Sequence, residues 1–402
     1  MESQKLKIEL LPSVFVDRRG KFNQKKALKT AGLFAGVCYN KEGYSKIVEE
    51  PLEKTLKRAQ NTLNSGHHSV YDHINVRLNL VNIPKILAMF LNNEKQYATS
   101  EKSSRYTKIS KASTPVISDL EENLYNKWVE IFTNKIKETY DNEFVNKKIK
   151  HMAQENARYL VTIFIPTTMI YSTSLRQINN IAAFCQRYIE NHDIDSDFEN
   201  KVSDSMLDFY YELLRLNLID DKLSANDKNR SFSLIDDSIS NKDEFFHNKR
   251  YTICYEATFA NVAQAQRHRT IDYNIKLLNE KKFFVPPIIE NDEVLKSEWL
   301  NDMKSVSSIH PQGELVLVEE SGTYKDFILK CKERLCSCAQ LEINNQTKEA
   351  MNRIIDFAKS TDNKELLDYL ANYSLGARCT FKDYNCTNDC KFKEGKTLTR
   401  KI

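Results

Sequence analysis

Glycine is scarce in this chain, with only 9 among 402 residues. A glycine-rich phosphate-binding loop is therefore not expected, and neither a G-x-G-x-x-G fingerprint nor a Walker motif is present. The first residues do not have the sequence pattern of a signal peptide, and no apolar run is nearly long enough to span a bilayer. We therefore expect a cytoplasmic protein with no membrane partner.

Standard disulfide and zinc patterns are also missing. The chain has 9 cysteines, an odd number, and they are scattered along the sequence. This distribution indicates reduced cytosolic thiols. Cys379, Cys386 and Cys390 lie in a polar C-terminal segment and could bind zinc with a fourth thiol from Cys336 or Cys338. Their spacing is not that of a standard zinc knuckle, so free thiols are favoured and no metal is assigned.

The overall composition is that of a soluble globular protein. Hydrophobic residues make up 41%, aromatic residues 10% and charged residues 28%, and the formal net charge is +4. A mildly basic balance suits anionic small molecules and does not require nucleic acid as a partner. The length is sufficient for two domains.

The segment 262–269 concentrates groups suited to binding anions. Its alanines and unbranched side chains favour a helix, on which Gln264, Arg267 and His268 would share one face. A guanidinium, an imidazole and an amide together suit phosphates and the polar edge of a planar ring. A solvated basic triplet is the alternative interpretation. Alternating apolar residues over 250–256 predict a strand just before this helix.

A second strand-then-helix passage lies far upstream, beginning at Gly66. Glu94 lies 21 residues after His73, and His268 lies 21 residues after His247. This correspondence indicates an internal repeat of roughly half the chain. The apolar alternation has opposite parity in the two copies, so the strand register could differ by one residue.

Local patterns predict the remaining elements and a domain boundary. The polar stretch 218–245 favours domains at 1–220 and 221–402. If residues 101–106 are extended, the side chains of Glu101, Ser103 and Arg105 project to one side. The predicted elements are a strand at 5–10 and helices at 23–35, 52–64 (ended by a left-handed Gly66), 118–160, 174–191, 205–218 and 323–358.

Together these motifs resemble the flavin-dependent thymidylate synthases, the ThyX family. That family's signature combines Gly-His-x-Ser-x-x-Asp/Glu-His, Gln-x-x-Arg-His-Arg and Glu-x-Ser-x-Arg-Tyr in one domain. Here the first half keeps Gly66-His67-x-Ser69 and Glu101-x-Ser103-x-Arg105-Tyr106, with Asn93-Glu94-Lys95 in place of the basic triplet. The second half keeps Gln264, Arg267-His268-Arg269 and Asn274, but has Ile275, Leu277 and Asn279 where the glutamate, serine and arginine should stand. Each half lacks what the other keeps.

Two further family elements match. Ala157-Arg158 resembles the Ala-Arg-x-x-Leu-Pro element, although Pro166 comes late. Arg334 begins a segment that fits Arg-x-x-x-x-Ala-Gln-x-Glu-Ile at every fixed position.

The resemblance implies a fold and a reaction. The fold would be α/β (α+β), with two tandem ThyX-like domains, each a small sheet packed by helices. The reaction would convert dUMP to dTMP, with the carbon from methylenetetrahydrofolate and the hydride from FAD recharged by NADPH. A homodimer would imitate the family's tetramer.

The resemblance also implies residue roles. Arg267 and Arg334 would be catalytic. The FAD contacts would be His67, Ser69, Arg267, His268, Arg269, Asn274 and Arg334. The dUMP contacts would be Glu101, Ser103, Arg105, Arg158 and Gln264.

Two other functions remain open from the sequence. Asp272 stands where the family has serine, which leaves room for a relative that methylates or hydroxymethylates another pyrimidine nucleotide. A catalytically inactive nucleotide-binding homologue is the other alternative. The two halves have lost different motif residues, which argues against this alternative. Without selection, motif residues should be lost from both copies at random.

Overall fold

The chain divides into two compact units that do not follow its order. The computed structural model describes residues 5–38, 40–103, 108–111, 114, 116–225, 234–240, 244–247, 249–386 and 389–402. Unit 1 comprises residues 1–102 and 166–232, and unit 2 comprises residues 103–165 and 233–402. The chain passes from one unit to the other three times, and the third change, between residues 232 and 233, lies near the predicted domain boundary. The segment 103–165, which the sequence placed in the first domain, packs within unit 2.

Before it first passes from unit 1 to unit 2, the chain forms three strands of one sheet and the helices beside them. These elements are β1 (Lys7–Leu10), α1 (Gln24–Val37), α2 (Tyr44–Ile47), α3 (Leu52–Asn64), a 3₁₀ turn (His68–His73), β2 (Asn75–Pro84), α4 (Lys85–Asn93) and β3 (Ala98–Glu101). The next segment belongs to unit 2 and is helical: α5 (Asp119–Thr139), α6 (Glu143–Asn146), α7 (Ile149–Ala157) and a 3₁₀ turn (Arg158–Leu160). The chain then completes unit 1 with β4 (Pro166–Ser174), α8 (Leu175–Asn191), α9 (Asp197–Arg215) and α10 (Asp221–Ser224).

The remaining residues complete unit 2. Its strands are β5 (Phe245–Phe246), β6 (Arg250–Thr258), β7 (Asp272–Leu277) and β8 (Leu315–Thr323). Its helices here are α11 (Phe259–Ala265), α12 (Glu293–Ser305), α13 (Tyr324–Arg334), α14 (Leu341–Ser360), α15 (Lys364–Ala371) and α16 (Lys393–Lys396), with 3₁₀ turns at Ser307–Ile309 and Arg378–Thr380.

Each unit is built on a four-stranded antiparallel sheet with the same connectivity. The strand order is β1-β2-β4-β3 in unit 1 and β5-β6-β8-β7 in unit 2. In β2, Val76, Leu78 and Leu80 are buried, because alternate side chains face the helices. The predicted mixed fold of two sheets packed by helices is confirmed.

A β-bulge explains the parity difference between the two copies. The pairing of β2 with β4 shifts between Val81 and Ile83, whereas β6 pairs with β8 without interruption. The extra residue, Asn82, has φ +58°, in the left-handed region that asparagine tolerates better than most residues. Side chains alternate between the two faces of a sheet, so one inserted residue changes the face of every earlier residue of β2. Buried residues of β2 therefore fall at odd positions where those of β6 fall at even positions, or the reverse.

The two larger hydrophobic clusters among the described residues of unit 2 are separate from each other. One joins α5, α7 and α12 around Trp128 and Trp299, whose rings meet edge to face at 4.8 Å between centroids. The other joins β6, α13, α14 and α15 around Tyr251, Phe327 and Ile354. The first core is what holds the 103–165 segment within unit 2.

Several predicted helices end earlier than expected. The predicted helix 118–160 breaks after Thr139, because Asn142 is extended and its side chain accepts hydrogen bonds from the amides of Phe144 and Val145. The predicted helix 323–358 breaks between Arg334 and Leu341, where Cys336-Ser-Cys338 has weak helix propensity. By contrast, α3 matches its prediction, and Gly66 has the expected positive φ of +73°.

Within the described residues, no helix is long and apolar enough to cross a membrane.

Candidate functional site

The basic triplet does not lie on a helix, so that prediction is wrong. Helix α11 ends at Ala265, and the amides of Arg267 and His268 bond back only three residues, to Gln264 at 3.2 Å and Ala265 at 2.9 Å. The backbone thus tightens into a turn before β7. Arg267 and Arg269 are exposed here, whereas His268 is half-buried.

Arg334, the last residue of α13, reaches this turn. Its Nε donates to His268 Nε2 at 2.8 Å, and its Nη2 donates to the carbonyl of Gln264 at 3.2 Å. Burial lowers the pKa of His268 to about 2, and the charges of Arg334 and Lys330 act in the same direction. His268 is therefore neutral, with Nε2 as a hydrogen-bond acceptor.

Gln340, the N-cap residue of α14, joins the two predicted nucleotide contacts of unit 2. Its Oε1 accepts a hydrogen bond from Arg158 Nη2 at 2.5 Å and another from Gln264 Nε2. Arg158 is buried, at 4% exposure, so its charge is held inside unit 2 beside this amide. Arg158, Gln264, His268 and Arg334 thus form one hydrogen-bonded cluster, which we call the arginine cluster.

A buried carboxylate lies behind the arginine cluster. Gln340 Nε2 donates to the hydroxyl of Tyr159, which donates to Glu342 Oε2 at 2.8 Å. Thr258 also donates to Glu342, from its amide at 2.8 Å and its hydroxyl at 2.7 Å. Burial raises the pKa of Glu342, and burial and that carboxylate raise the pKa of Tyr159. This chain of bonds orients Gln340.

A second buried network lies under α13. Lys330 Nζ contacts Glu320 Oε2 at 2.6 Å, and both side chains are fully buried. Tyr251 and Tyr255 donate to the same carboxylate at 2.8 and 2.7 Å. Since Lys330 precedes Arg334 by one helical turn, this network anchors the helix that presents Arg334.

Asn274, predicted to contact FAD, is engaged within its own sheet. It lies in β7, and its Nδ2 donates to Glu319 Oε1 on β8 at 3.1 Å.

Apart from Arg158, the predicted contacts of the first copy that the structure describes lie in unit 1 or next to it in the sequence. His67 and Ser69 are exposed beside the 3₁₀ turn after α3. Glu101 ends β3, and its carboxylate bonds to Lys85 Nζ at 2.5 Å. Ser103 is half-buried and begins the segment of unit 2. Arg105 lies outside the described residues.

A cavity of about 820 Å³ in unit 2 lies elsewhere. Residues lining it include Phe246, His247, Thr323, Lys325 and Tyr369. None of the residues named above for flavin or nucleotide lines this cavity. The arginine cluster is identified by the chemistry of its side chains and not by cavity size.

Sequence reasoning missed the residues that support the arginine cluster. Gln340 and Glu342 belong to the matched Ala-Gln-x-Glu-Ile element, so the motif itself held the signal. Tyr159 adjoins Arg158 but carries no pattern of its own. No sequence pattern predicts that Lys330 is buried, because lysines in helices normally lie at the surface.

The family model described as "Thymidylate synthase complementing protein" matches residues 23–191. This part of the chain is therefore similar to that family. The match confirms the resemblance stated from the motifs, and it includes Arg158 but ends before the Arg-His-Arg turn.

Two solved structures are similar to parts of the chain. One is a UMP/dUMP methylase, PolB from Streptomyces cacaoi, bound with 5-Br dUMP: 13% identity, TM-score 0.32, 56% of this chain and 95% of that chain covered. The other is Thymidylate Synthase X from Helicobacter pylori with FAD and dUMP: 15% identity, TM-score 0.27, 52% and 98% covered. At these TM-scores neither carries an argument about the site. No curated protein matches the chain at a significant level.

Proposed function

We propose that this protein is a flavin-dependent thymidylate synthase, which methylates dUMP to dTMP with methylenetetrahydrofolate and NADPH. The observation that carries the proposal is the arginine cluster. In unit 2, Gln340 joins Arg158 and Gln264, which are matched to nucleotide contacts. Gln264 in turn accepts a hydrogen bond from Arg334, which also bonds to His268, and these two are matched to flavin contacts.

The donor set fits FAD. The exposed guanidiniums of Arg267 and Arg269 suit its pyrophosphate, and the neutral His268 with Arg334 suits the polar edge of its ring. When bound, FAD supplies the hydride that NADPH provides. His67, Ser69 and Asn274 are further proposed FAD contacts.

The chain's own residues bind and orient the substrate. Arg158 would bind the dUMP phosphate, with Gln264 beside it; the bonds of both side chains to Gln340 support this role. Arg267 and Arg334 would stabilise negative charge on the polarised pyrimidine. Arg334 is half-buried, and a partly buried guanidinium acts more strongly on nearby charge than an exposed one. Glu101, Ser103 and Arg105 are the other proposed dUMP contacts.

The test uses the purified full-length protein. We expect bound FAD at about one per chain, because only one copy keeps the Arg-His-Arg segment. NADPH should bleach the flavin, and dUMP tritiated at C5 should release tritium only when methylenetetrahydrofolate is present. A colourless protein that neither binds FAD nor releases tritium would be the inactive homologue. Two equivalent flavins per chain would contradict the stoichiometry.

A second candidate is a relative acting on another pyrimidine nucleotide. The specific observation is Asp272, exposed at the start of β7 where the family has serine. Release of tritium from labelled dCMP but not from dUMP would favour this candidate.

We also propose a homodimer. Sedimentation measures its mass directly. If one site draws residues from two chains, inactive Arg267→Ala and Arg105→Ala proteins should regain part of the activity after they are dissociated and mixed. Lack of recovery would place each site within one chain.

A further inference from the structure

Five of the chain's nine cysteines line one cavity of unit 2. The cavity measures about 700 Å³, and its thiols are Cys336, Cys338, Cys379, Cys386 and Cys390. Cys336, Cys338, Cys379 and Cys390 are free thiols. Among the described residues, no group of three or more His, Cys, Asp or Glu side chains is placed to hold a metal ion. The cavity therefore presents thiols without a formed metal site.

Two of these thiols form a pair. Cys336 and Cys338 are hydrogen-bonded to each other through their side chains, and the amide of Cys338 also donates to Cys336 Sγ at 3.5 Å. Cys338 is exposed, whereas Cys336 is half-buried. The pair thus has an accessible member and a sheltered one.

Cations surround the accessible thiol. Lys148, the N-cap residue of α7, places its Nζ 3.4 Å from Cys338 Sγ. Arg378 is held to the same loop, since its amide donates to the carbonyl of Leu335 at 2.6 Å and its guanidinium interacts with both thiols. Cys338 lines two cavities, and their other ionisable side chains are Asp141, Glu143, Lys147, His151, Glu155, Cys379, Tyr384, Cys386, Asp389, Cys390, Lys391, Lys396 and Arg400.

We propose that Cys338 is a reactive thiolate, a site of oxidation by peroxides, and that Cys336 is the thiol that converts the oxidised form to a disulfide. The arrangement favours ionisation of Cys338. The hydrogen bond from Cys336 lowers its pKa to about 5, and the charges of Lys148 and Arg378 act in the same direction. The same pairing and burial raise the pKa of Cys336, so the two thiols do not ionise together.

The chemistry balances with hydrogen peroxide as the named oxidant. The Cys338 thiolate attacks one peroxide oxygen, the O–O bond breaks, and the departing hydroxide takes a proton and leaves as water. Cys336 sulfur then attacks the sulfenic sulfur. The S–S bond forms, the S–O bond breaks, and the Cys336 proton leaves with the hydroxyl as a second water. The thiol pair loses two electrons and the peroxide gains two.

The first experiment measures alkylation by limiting iodoacetamide on the native full-length protein. Trypsin cleaves after Arg334 and Lys348, so peptide 335–348 contains Cys336 and Cys338 and no other cysteine. At pH 6 we expect Cys338 to react about tenfold faster than an exposed thiol of ordinary pKa, since its larger thiolate fraction outweighs its lower nucleophilicity. The exposed Cys38 serves as the comparator within the chain.

Matched variants assign the fast reaction. Cys338→Ser should abolish it, and Cys38→Ser should leave it unchanged. Lys148→Gln should slow it several-fold at pH 6, whereas Lys148→Arg, which keeps the charge, should retain most of the rate. A fast phase that persists in Cys338→Ser would overturn the proposal.

The second experiment uses hydrogen peroxide. In the unmodified protein, peptide 335–348 should become about 2 Da lighter, which marks an internal disulfide. In Cys336→Ser, Cys338 should stop at the sulfenic acid, which dimedone traps. The proposal fails if this peptide keeps both thiols while other cysteines oxidise. It also fails if Cys338 reacts only after a chelator is added, since that result would identify a metal site.

Discussion

The guanidinium of Arg334 and the imidazole of His268 share one hydrogen bond, 2.8 Å from Nε to Nε2, and this bond requires a neutral histidine. Two matched flavin contacts therefore hold each other in place. Protonation of His268 would remove the acceptor and set a cation against Arg334.

The first prediction concerns pH and stability. Because the pKa of His268 is lowered to about 2 in the folded protein, the unfolded chain takes up the proton first, below the ordinary value of about 6.5. The contribution of this group to folding is therefore lost as the pH falls below that value, by up to about 2 kcal/mol at pH 5. Urea denaturation at pH 7.5 and pH 5 measures it. His268→Gln keeps an acceptor for Arg334 and should lose less stability between the two pH values; equal losses would contradict a neutral, buried His268.

The second prediction concerns nucleotide affinity. Arg158→Ala removes a charge-assisted contact worth roughly 1.5–3 kcal/mol. Affinity for dUMP should fall about ten- to a hundredfold, with FAD retained. Calorimetry with dUMP and the flavin absorbance measure the two ligands separately.

Controls for Arg158→Ala address folding. Arg158→Lys keeps the charge but loses the paired N–H donors of the guanidinium, so we expect an affinity for dUMP between those of the parent and Arg158→Ala. Arg215→Ala removes a surface arginine of α9 and should bind dUMP normally. Normal binding by Arg158→Ala would place Arg158 outside the nucleotide site.

The third prediction concerns catalysis. Arg267 is exposed in the turn after α11, so its loss should spare the fold. We expect Arg267→Ala to abolish most tritium release from dUMP, because a contact to charge that develops during the reaction is removed. Asn279→Ala, at another exposed position of unit 2, should stay within a few-fold of the parent. Full activity in Arg267→Ala would remove this turn from the mechanism.

The fourth prediction concerns the buried pair Lys330–Glu320. Lys330→Met leaves a buried carboxylate without its cation and should lower the free energy of unfolding by about 3–5 kcal/mol. Adding Glu320→Gln should recover much of that loss, because no unpaired charge then remains. Lys332→Met is the control on the same helix, since its partner Asp383 is exposed and such a pair contributes at most about 1 kcal/mol. Similar losses for Lys330→Met and Lys332→Met would contradict the buried network.

Local features of the fold were predictable from the sequence. Helix α3 and the left-handed Gly66 follow from apolar spacing and a terminal glycine. The parity mismatch between the copies predicted a difference of one residue in strand register, and the bulge at Asn82 accounts for it. These features depend on residues close together in the chain.

Long-range features were not predictable. Trp128 and Trp299 meet although 171 residues separate them, and Arg158 bonds to Gln340 across 182 residues. No local pattern specifies such partners, because packing depends on the final fold. For the same reason, the sequence placed Arg158 with the first copy, although its side chain lies in unit 2. The motifs named all four members of the arginine cluster but not the bonds among them.

The interleaved path of the chain bears on how the protein comes apart. Unit 2 is assembled from residues 103–165 and 233–402, so a single backbone break near 220 leaves material of unit 2 on both products. The buried contacts around Trp128 and Trp299 would still join those products. Such a nicked protein should migrate as one species on a native gel and separate into two bands only in detergent. A fragment that ends or begins near residue 220 therefore does not contain a whole unit and is unsuited to separate expression, although the internal repeat suggests that each half could fold alone.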